Sequence, residues 1–168
     1  MKNILFLCTG NSSRSIMAEA ILGRIGKGRF RAYSAGSQDV GEPNPWAILL
    51  LESFGYDVGR LRSKNWSEFA REGCPEMDHI ITVCDHKVEE SCPVWPGHPA
   101  IAHWGIANPA EEVGDDKDMQ LAFLTTYAQL SDRIGRFVSL PIETMSEDEL
   151  MQTMREIGDF SGTTQGRT

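Results

Sequence analysis

The chain has 168 residues, which is enough for a single domain with a full hydrophobic core. Its formal net charge of −8 argues against a nucleic acid or an anionic membrane surface as a partner. No apolar run is long enough to span a membrane and the short apolar N-terminus lacks a cleavage-like site, so we expect a cytoplasmic protein.

Strands and helices are predicted to alternate along the sequence. The predicted strands cover residues 3–8, 30–34, 77–84 and 100–104. The predicted helices cover residues 15–25, 44–54, 66–70, 116–138 and 146–157. This alternation indicates an α/β fold, with a four-stranded parallel sheet flanked by helices.

The long helix over residues 116–138 carries an apolar stripe at helical spacing, which predicts its core face. That predicted face consists of Leu121, Leu124, Leu130, Ile134 and Phe137. The residues after the last predicted helix are small and polar, and they predict a flexible tail.

The first strand runs directly into Cys8, and Arg14 and Ser15 follow a short loop of small and polar residues. In such a strand–loop–helix unit, the loop N–H groups, the helix N-terminus and the guanidinium together favour a bound tetrahedral oxyanion. Cys8 would lie beneath that anion as a nucleophile, with Ser15 donating a hydrogen bond that favours the thiolate. The predicted anion-binding residues are Thr9, Gly10, Asn11, Ser12, Ser13, Arg14 and Ser15. The alternative is a buried core cysteine and a surface arginine.

Three more cysteines follow, and two of them come after the third strand. Cys84 ends that strand, so it shares the carboxyl edge of the sheet with Cys8 if the first and third strands are neighbours. Cys92 follows in a charged, proline-rich segment. A reactive cysteine with two cysteines nearby fits thiol redox chemistry, whereas the alternative is one core cysteine and one incidental surface cysteine. Cys74 lies outside this pattern and is interpreted as incidental, with a metal ligand as a remote alternative. The absence of a Cys-x-x-Cys pair leaves a structural zinc site with weak support.

The segment Cys8-Thr9-Gly10-Asn11-Ser12-Ser13-Arg14-Ser15, placed after one strand, resembles the low-molecular-weight protein tyrosine phosphatase superfamily. This superfamily contains phosphatases and a branch of arsenate reductases. The segments Thr82-Val83-Cys84-Asp85 and Ser91-Cys92-Pro93 are similar to the reductase branch. The resemblance implies a catalytic domain over residues 1–140, followed by a helical extension and flexible tail over 141–168. It also places the basic run at 60–64 at the rim of the site, whereas composition alone favours a solvated face.

The resemblance further implies a mechanism and an external reductant. Arsenate or another phosphate-like oxyanion fills the loop, and the Cys8 thiolate attacks arsenic. Cys84 then attacks the Cys8 sulfur as arsenite leaves, and Cys92 exchanges to give a Cys84–Cys92 disulfide, which requires residues 85–93 to move. No bound cofactor is implied. The reductant would be thioredoxin, or glutathione or mycothiol with a glutaredoxin-type partner.

The chain departs from the family pattern at Asn108-Pro109, where the family usually has Asp-Pro. That aspartate is the general acid, and an asparagine cannot supply its proton. Glu111, Glu112 and Asp85 are the candidate substitutes. The leading interpretation is an arsenate reductase. The alternatives are a phosphatase for phosphotyrosine or aryl phosphates, and a non-enzymatic redox or oxyanion sensor.

Overall fold

The computed structural model describes residues 1–38, 41–85, 95–97 and 99–159. The strands are β1 (Lys2–Cys8), β2 (Phe30–Gly36), β3 (His79–Thr82) and β4 (Ala100–His103). The α-helices are α1 (Arg14–Ile25), α2 (Pro45–Ser53), α3 (Asp116–Val138) and α4 (Glu147–Asp159). Two short 3-10 helices cover Trp66–Phe69 and Pro109–Glu111.

All four strands are parallel, in the order β2-β1-β3-β4, which confirms the predicted fold class. β1 lies at the centre, and its apolar run from Ile4 to Leu7 is completely buried, as expected for a strand covered on both faces. The first and third strands are neighbours, since Leu7 pairs with Thr82, and this meets the condition on which the shared edge of Cys8 and Cys84 depends. β3 is shorter than the predicted strand over 77–84 because it pairs with β1 and β4 over four residues only.

The two faces of the sheet are covered differently. Because side chains alternate along a strand, Ile4, Phe6 and Cys8 point to one face and Leu5 and Leu7 to the other. The four α-helices pack on the first face. The second face is covered by aromatic residues from the first 3-10 helix and beyond, namely Trp66, Phe69 and Trp95.

The core face of α3 differs from the prediction at two positions. Its buried apolar and hydroxyl side chains are Phe123, Thr126, Leu130, Ile134 and Phe137. Leu121 and Leu124 are 63% and 42% exposed, so their predicted burial is wrong. They lie about a quarter-turn or more from the inward stripe, where they line an open apolar groove between α2 and α3.

α4 begins with a reciprocal cap and is docked on the sheet. Ser146 Oγ accepts from the Glu149 N–H at 3.1 Å, and Glu149 Oε2 accepts from the Ser146 N–H at 3.0 Å. The Trp104 indole N–H donates to the Met154 carbonyl at 2.9 Å, which ties α4 to the end of β4. The domain division at residue 140 stays a prediction, and most of the predicted tail, 160–168, lies outside the described residues.

No described helix combines the length and apolar character needed to cross a membrane.

Candidate active site

Cys8 and Arg14 are held at opposite ends of one short loop. Cys8 is the last residue of β1, and Arg14 is the first residue of α1. The Cys8 sulfur is almost completely buried, and the Asn11 N–H donates to it at 3.2 Å. Ser15 Oγ lies 2.8 Å from the same sulfur. The sulfur therefore lies beneath the loop, within reach of two hydrogen-bond donors.

The Asn11 side chain fixes the direction of the Ser15 hydroxyl. The backbone N–H of Lys64 can only donate, and it does so to Asn11 Oδ1 at 2.8 Å. Asn11 Nδ2 consequently donates to Ser15 Oγ at 2.8 Å and to Ser34 Oγ at 3.0 Å. Because the Ser15 oxygen accepts this bond, its own proton is available to the Cys8 sulfur. Such a bond stabilises the thiolate more than the thiol.

The loop turns sharply at Asn11, which has φ of +48°. Asparagine tolerates this left-handed conformation better than most residues. The Ser63 hydroxyl donates to the Asn11 carbonyl at 2.6 Å, adjacent to the Lys64 contact. The basic run at 60–64 is thus divided: Ser63 and Lys64 contact the site, whereas Arg62 forms an exposed ion pair with Glu68.

Other loop carbonyls are also tied to the surrounding scaffold. The carbonyl of Thr9 accepts from the Gln38 N–H, and that of Ser12 accepts from the Asn44 N–H. Within the described parts of the chain, the N–H groups of Gly10, Ser12 and Ser13 have no acceptor. A loop whose carbonyls bond to the surrounding scaffold and whose N–H groups have no acceptor forms an anion-binding concavity. The sequence predicts a concavity of this kind.

A buried ion pair supports the loop from behind. Lys64 Nζ lies 3.5 Å from Glu19 Oε1, and both side chains are largely buried. The Ser34 hydroxyl donates to Glu19 at 3.3 Å, so the pair reaches Asn11 through Ser34. Burial raises the pKa of Glu19 and lowers the pKa of Lys64, and each charge opposes the shift of the other.

Glu19, Ser34 and this role of Lys64 are not predicted from the sequence. The three residues belong to separate segments that only the folded sheet brings together. One signal was present, because Glu19 interrupts the otherwise buried face of α1 among Ile16, Ala18 and Leu22.

Arg14 is 6% exposed, which excludes the alternative of a surface arginine. Its Nη1 donates to the Ile106 carbonyl at 2.9 Å and lies 3.4 Å from Asp85 Oδ1. The guanidinium is therefore held at the carboxyl edge of the sheet, between the segments that follow β3 and β4.

The chain matches the family model described as low molecular weight phosphotyrosine protein phosphatase over residues 3–151. The chain belongs to this family. Its curated relatives include an arsenate reductase from Halalkalibacterium halodurans, which is 32% identical over 136 residues, covering 81% of this chain and 94% of the relative.

Solved structures similar to this chain include arsenate reductases as well. An arsenate reductase in the oxidized state is 25% identical with a TM-score of 0.67, covering 83% of this chain and 98% of the other. An arsenate reductase from Archaeoglobus fulgidus is 28% identical with a TM-score of 0.58, covering 79% of this chain and 98% of the other. The predicted resemblance to the superfamily and its reductase branch is confirmed.

The predicted redox cysteines of this phosphatase-family chain are only partly described. Cys84 follows β3 and is fully buried in the same hydrophobic cluster as Cys8. Cys92 and residues 86–93 of the predicted moving segment lie outside the described residues. Cys74 is half-buried and donates to the Phe69 carbonyl at 3.0 Å, which explains it as a structural residue. In the described ranges, no three His, Cys, Asp or Glu side chains could together hold a metal ion.

Asn108 has a local structural role. Its side chain accepts from the Ala110 N–H at 3.1 Å and caps the second 3-10 helix. Of the three candidate substitutes for the missing acid, Glu111 and Glu112 are exposed, and Asp85 contacts Arg14.

Proposed function

We propose that this chain reduces arsenate to arsenite, with Cys8 as the nucleophile. The observation that carries the proposal is the loop between Cys8 and Arg14, where a buried sulfur with two hydrogen-bond donors lies beneath uncommitted backbone amides. The arsenate reductases among its relatives make arsenate the favoured oxyanion over other phosphate-like anions.

Oxyanion binding would use the whole loop from Thr9 to Ser15. The amides of Gly10, Ser12 and Ser13 would donate to the equatorial oxygens. The Arg14 guanidinium, already buried at the edge of the loop, would supply the bidentate positive charge. Since the protein as a whole is acidic, this local positive site has to provide the attraction for the anion.

The first chemical step would be attack of the Cys8 thiolate on arsenic, with departure of one oxygen. Cys84 would then attack the Cys8 sulfur. The two electrons of the Cys8–arsenic bond stay with arsenic, which leaves as arsenite, and a Cys8–Cys84 disulfide forms. The burial of both cysteines in one cluster at the same edge of the sheet supports this pairing.

Cys92 would next attack Cys84, which releases the Cys8 thiolate and leaves a Cys84–Cys92 disulfide. A thioredoxin-like partner would reduce that disulfide. The competing route is resolution of the Cys8–arsenic adduct by glutathione or mycothiol. The presence of both Cys84 and Cys92 favours the internal relay.

The test is to mix fully reduced protein with arsenate, without oxygen or other thiols, and to map disulfides by mass spectrometry. We expect one Cys84–Cys92 bond per arsenite released. Cys92→Ser should stop at the Cys8–Cys84 bond, and Cys84→Ser should prevent disulfide formation. Cys74→Ser is the matched control and should behave as the unchanged protein, because Cys74 packs away from the site.

The possible outcomes distinguish arsenate reduction itself from the internal disulfide relay through Cys84 and Cys92. Oxidation that appears only after glutathione or mycothiol is added would contradict the internal relay and retain arsenate reduction. No arsenite under any of these conditions would overturn the proposal. It would leave the phosphatase and sensor alternatives, which an assay with 4-nitrophenyl phosphate would then distinguish.

A further inference from the structure

Departure of an oxygen from arsenic requires a proton. The oxygen leaves easily as water and poorly as hydroxide, so a positioned acid accelerates the step. Asn108 has no acidic proton to give, and its amide oxygen already accepts from the Ala110 N–H. The proton would then come from another acidic group that faces the oxyanion site.

We propose that Asp85 is the catalytic acid that protonates the departing oxygen, an inference that rests on the proposed reaction at Cys8. Its Oδ1 lies 3.4 Å from Arg14 Nη1, which places the carboxyl group beside the guanidinium that binds the oxyanion. The Arg14 side chain is 7% exposed and that of Asp85 is 46% exposed. Asp85 thus stands at the mouth of the site, in contact both with the binding group and with solvent that can replace its proton.

The surrounding structure fixes this position. Asp85 follows β3 and Cys84 directly, so the parallel sheet delivers it to the carboxyl edge where the Cys8 loop also lies. The Ile106 carbonyl accepts from the same Arg14 nitrogen at 2.9 Å, which keeps the guanidinium turned toward Asp85.

Other carboxyl groups in the described ranges are less suited to the role. Glu19 is buried behind the loop in its pair with Lys64 and reaches the nucleophile only through Ser34 and Asn11. Glu111 and Glu112 are exposed on the second 3-10 helix and at its end, and neither forms a salt bridge with Arg14 in the described parts of the chain.

The step balances with Asp85 as the donor. Hydrogen arsenate, the Cys8 thiolate and the protonated Asp85 carboxyl give the Cys8–arsenate thioester, water and the Asp85 carboxylate. The sulfur–arsenic bond forms, one arsenic–oxygen bond breaks, and arsenic stays in oxidation state five. In the free protein Asp85 pairs with Arg14 as a carboxylate. A bound dianion takes over the guanidinium and repels a neighbouring negative charge, so binding of arsenate favours uptake of a proton by Asp85 and prepares the acid.

The experiment compares three variants, Asp85→Asn, Asp85→Glu and the exposed control Glu112→Gln. Reduced protein is mixed rapidly with arsenate, and loss of the Cys8 thiol is followed by quenching with iodoacetamide and mass spectrometry. Affinity for inorganic phosphate is measured by calorimetry. We expect Asp85→Asn to slow Cys8 consumption by roughly 100-fold, the lower end of the range for general acids. Asp85→Glu should recover part of the rate, and Glu112→Gln should leave it unchanged.

Phosphate affinity separates the acid from a merely structural residue. Loss of a negative charge beside the anion should leave phosphate binding to the Asp85→Asn variant unchanged or stronger. If Asp85 only positioned Arg14, affinity and rate would fall together, and that result would overturn the proposal. A rate within threefold of the unchanged protein would overturn it as well.

Aryl phosphates keep the test decisive if arsenate proves not to be the substrate. Phenyl phosphate has a leaving group that needs a proton, whereas 4-nitrophenyl phosphate needs it much less. Asp85→Asn should therefore reduce kcat/KM for phenyl phosphate more strongly than for 4-nitrophenyl phosphate. Equal losses for the two substrates would refute the acid role, and an unchanged protein that reacts with neither arsenate nor aryl phosphates would overturn both proposals.

Discussion

Replacement of Asn11 by alanine should both destabilise the protein and slow the alkylation of Cys8. Asn11 is fully buried, so the Asn11→Ala variant leaves the buried Lys64 N–H without its acceptor, at a cost of about 1–3 kcal/mol. Alanine also tolerates φ of +48° less well than asparagine, which adds about 1 kcal/mol. Urea unfolding should therefore show a loss of about 2–4 kcal/mol in the free energy of unfolding.

The same variant releases the Ser15 hydroxyl from its fixed direction. Cys8 then loses one oriented hydrogen bond to its thiolate, and we expect the rate of alkylation by iodoacetamide at neutral pH to fall roughly tenfold. The matched control is Asn65→Ala, since Asn65 is half-buried and caps the first 3-10 helix. That control should cost about 1 kcal/mol and leave alkylation unchanged. If Asn11→Ala matched the Asn65→Ala control in stability and in Cys8 reactivity, Asn11 would not have the role assigned to it.

Three other features give testable outcomes. Lys64→Met should lower the free energy of unfolding by about 3–5 kcal/mol, because it leaves the buried Glu19 without its cationic partner. The double variant that also carries Glu19→Gln should be more stable than Lys64→Met alone. Equal urea midpoints for the two variants would contradict this expectation. Burial lowers the pKa of His79 below its ordinary value of 6.5, so the unfolded chain binds the proton more readily and stability should be lost as pH falls below about 6.5. Urea titrations at pH 7 and pH 5 should show a smaller loss for His79→Gln than for the unchanged protein, and identical losses would exclude this cause. Trp104→Phe removes the indole bond to Met154 and should expose α4 to proteolysis before the rest of the chain, so an unchanged cleavage pattern would show that apolar packing alone holds the helix.

The sequence predicts the fold well because the decisive signals are local. Four apolar runs separated by helical patterns are sufficient to indicate a parallel sheet, and Cys8 and Arg14 belong to one strand–loop–helix unit. The error in α3 has a simple origin. Phe123 and Leu124 are both apolar and adjacent, and only the position of the sheet and α1 decides that Phe123 turns inward while Leu124 faces the groove.

The parts of the site that escaped prediction depend on long-range pairing. Nothing near Lys64 in the sequence shows that it will be buried against Glu19, which lies 45 positions earlier on another element. The Arg14–Asp85 contact likewise joins residues 71 positions apart, through the pairing of β1 with β3. Asp85 is a candidate acid from the sequence, but its position beside Arg14 follows only from the folded sheet.

The order of the strands in the sheet has a consequence for synthesis of the chain. Cys8 leaves the ribosome early, but its surroundings are completed only when Lys64, Asp85 and Ile106 have been added. At about 5–20 residues per second, the interval between Cys8 and Ile106 is on the order of 5–20 s. Until Lys64 has been added, the Ser15 hydroxyl has no Asn11–Lys64 contact to orient it. The contacts that orient donors toward the Cys8 sulfur and hold Arg14 are therefore complete only late in synthesis, after well over half of the chain has been added.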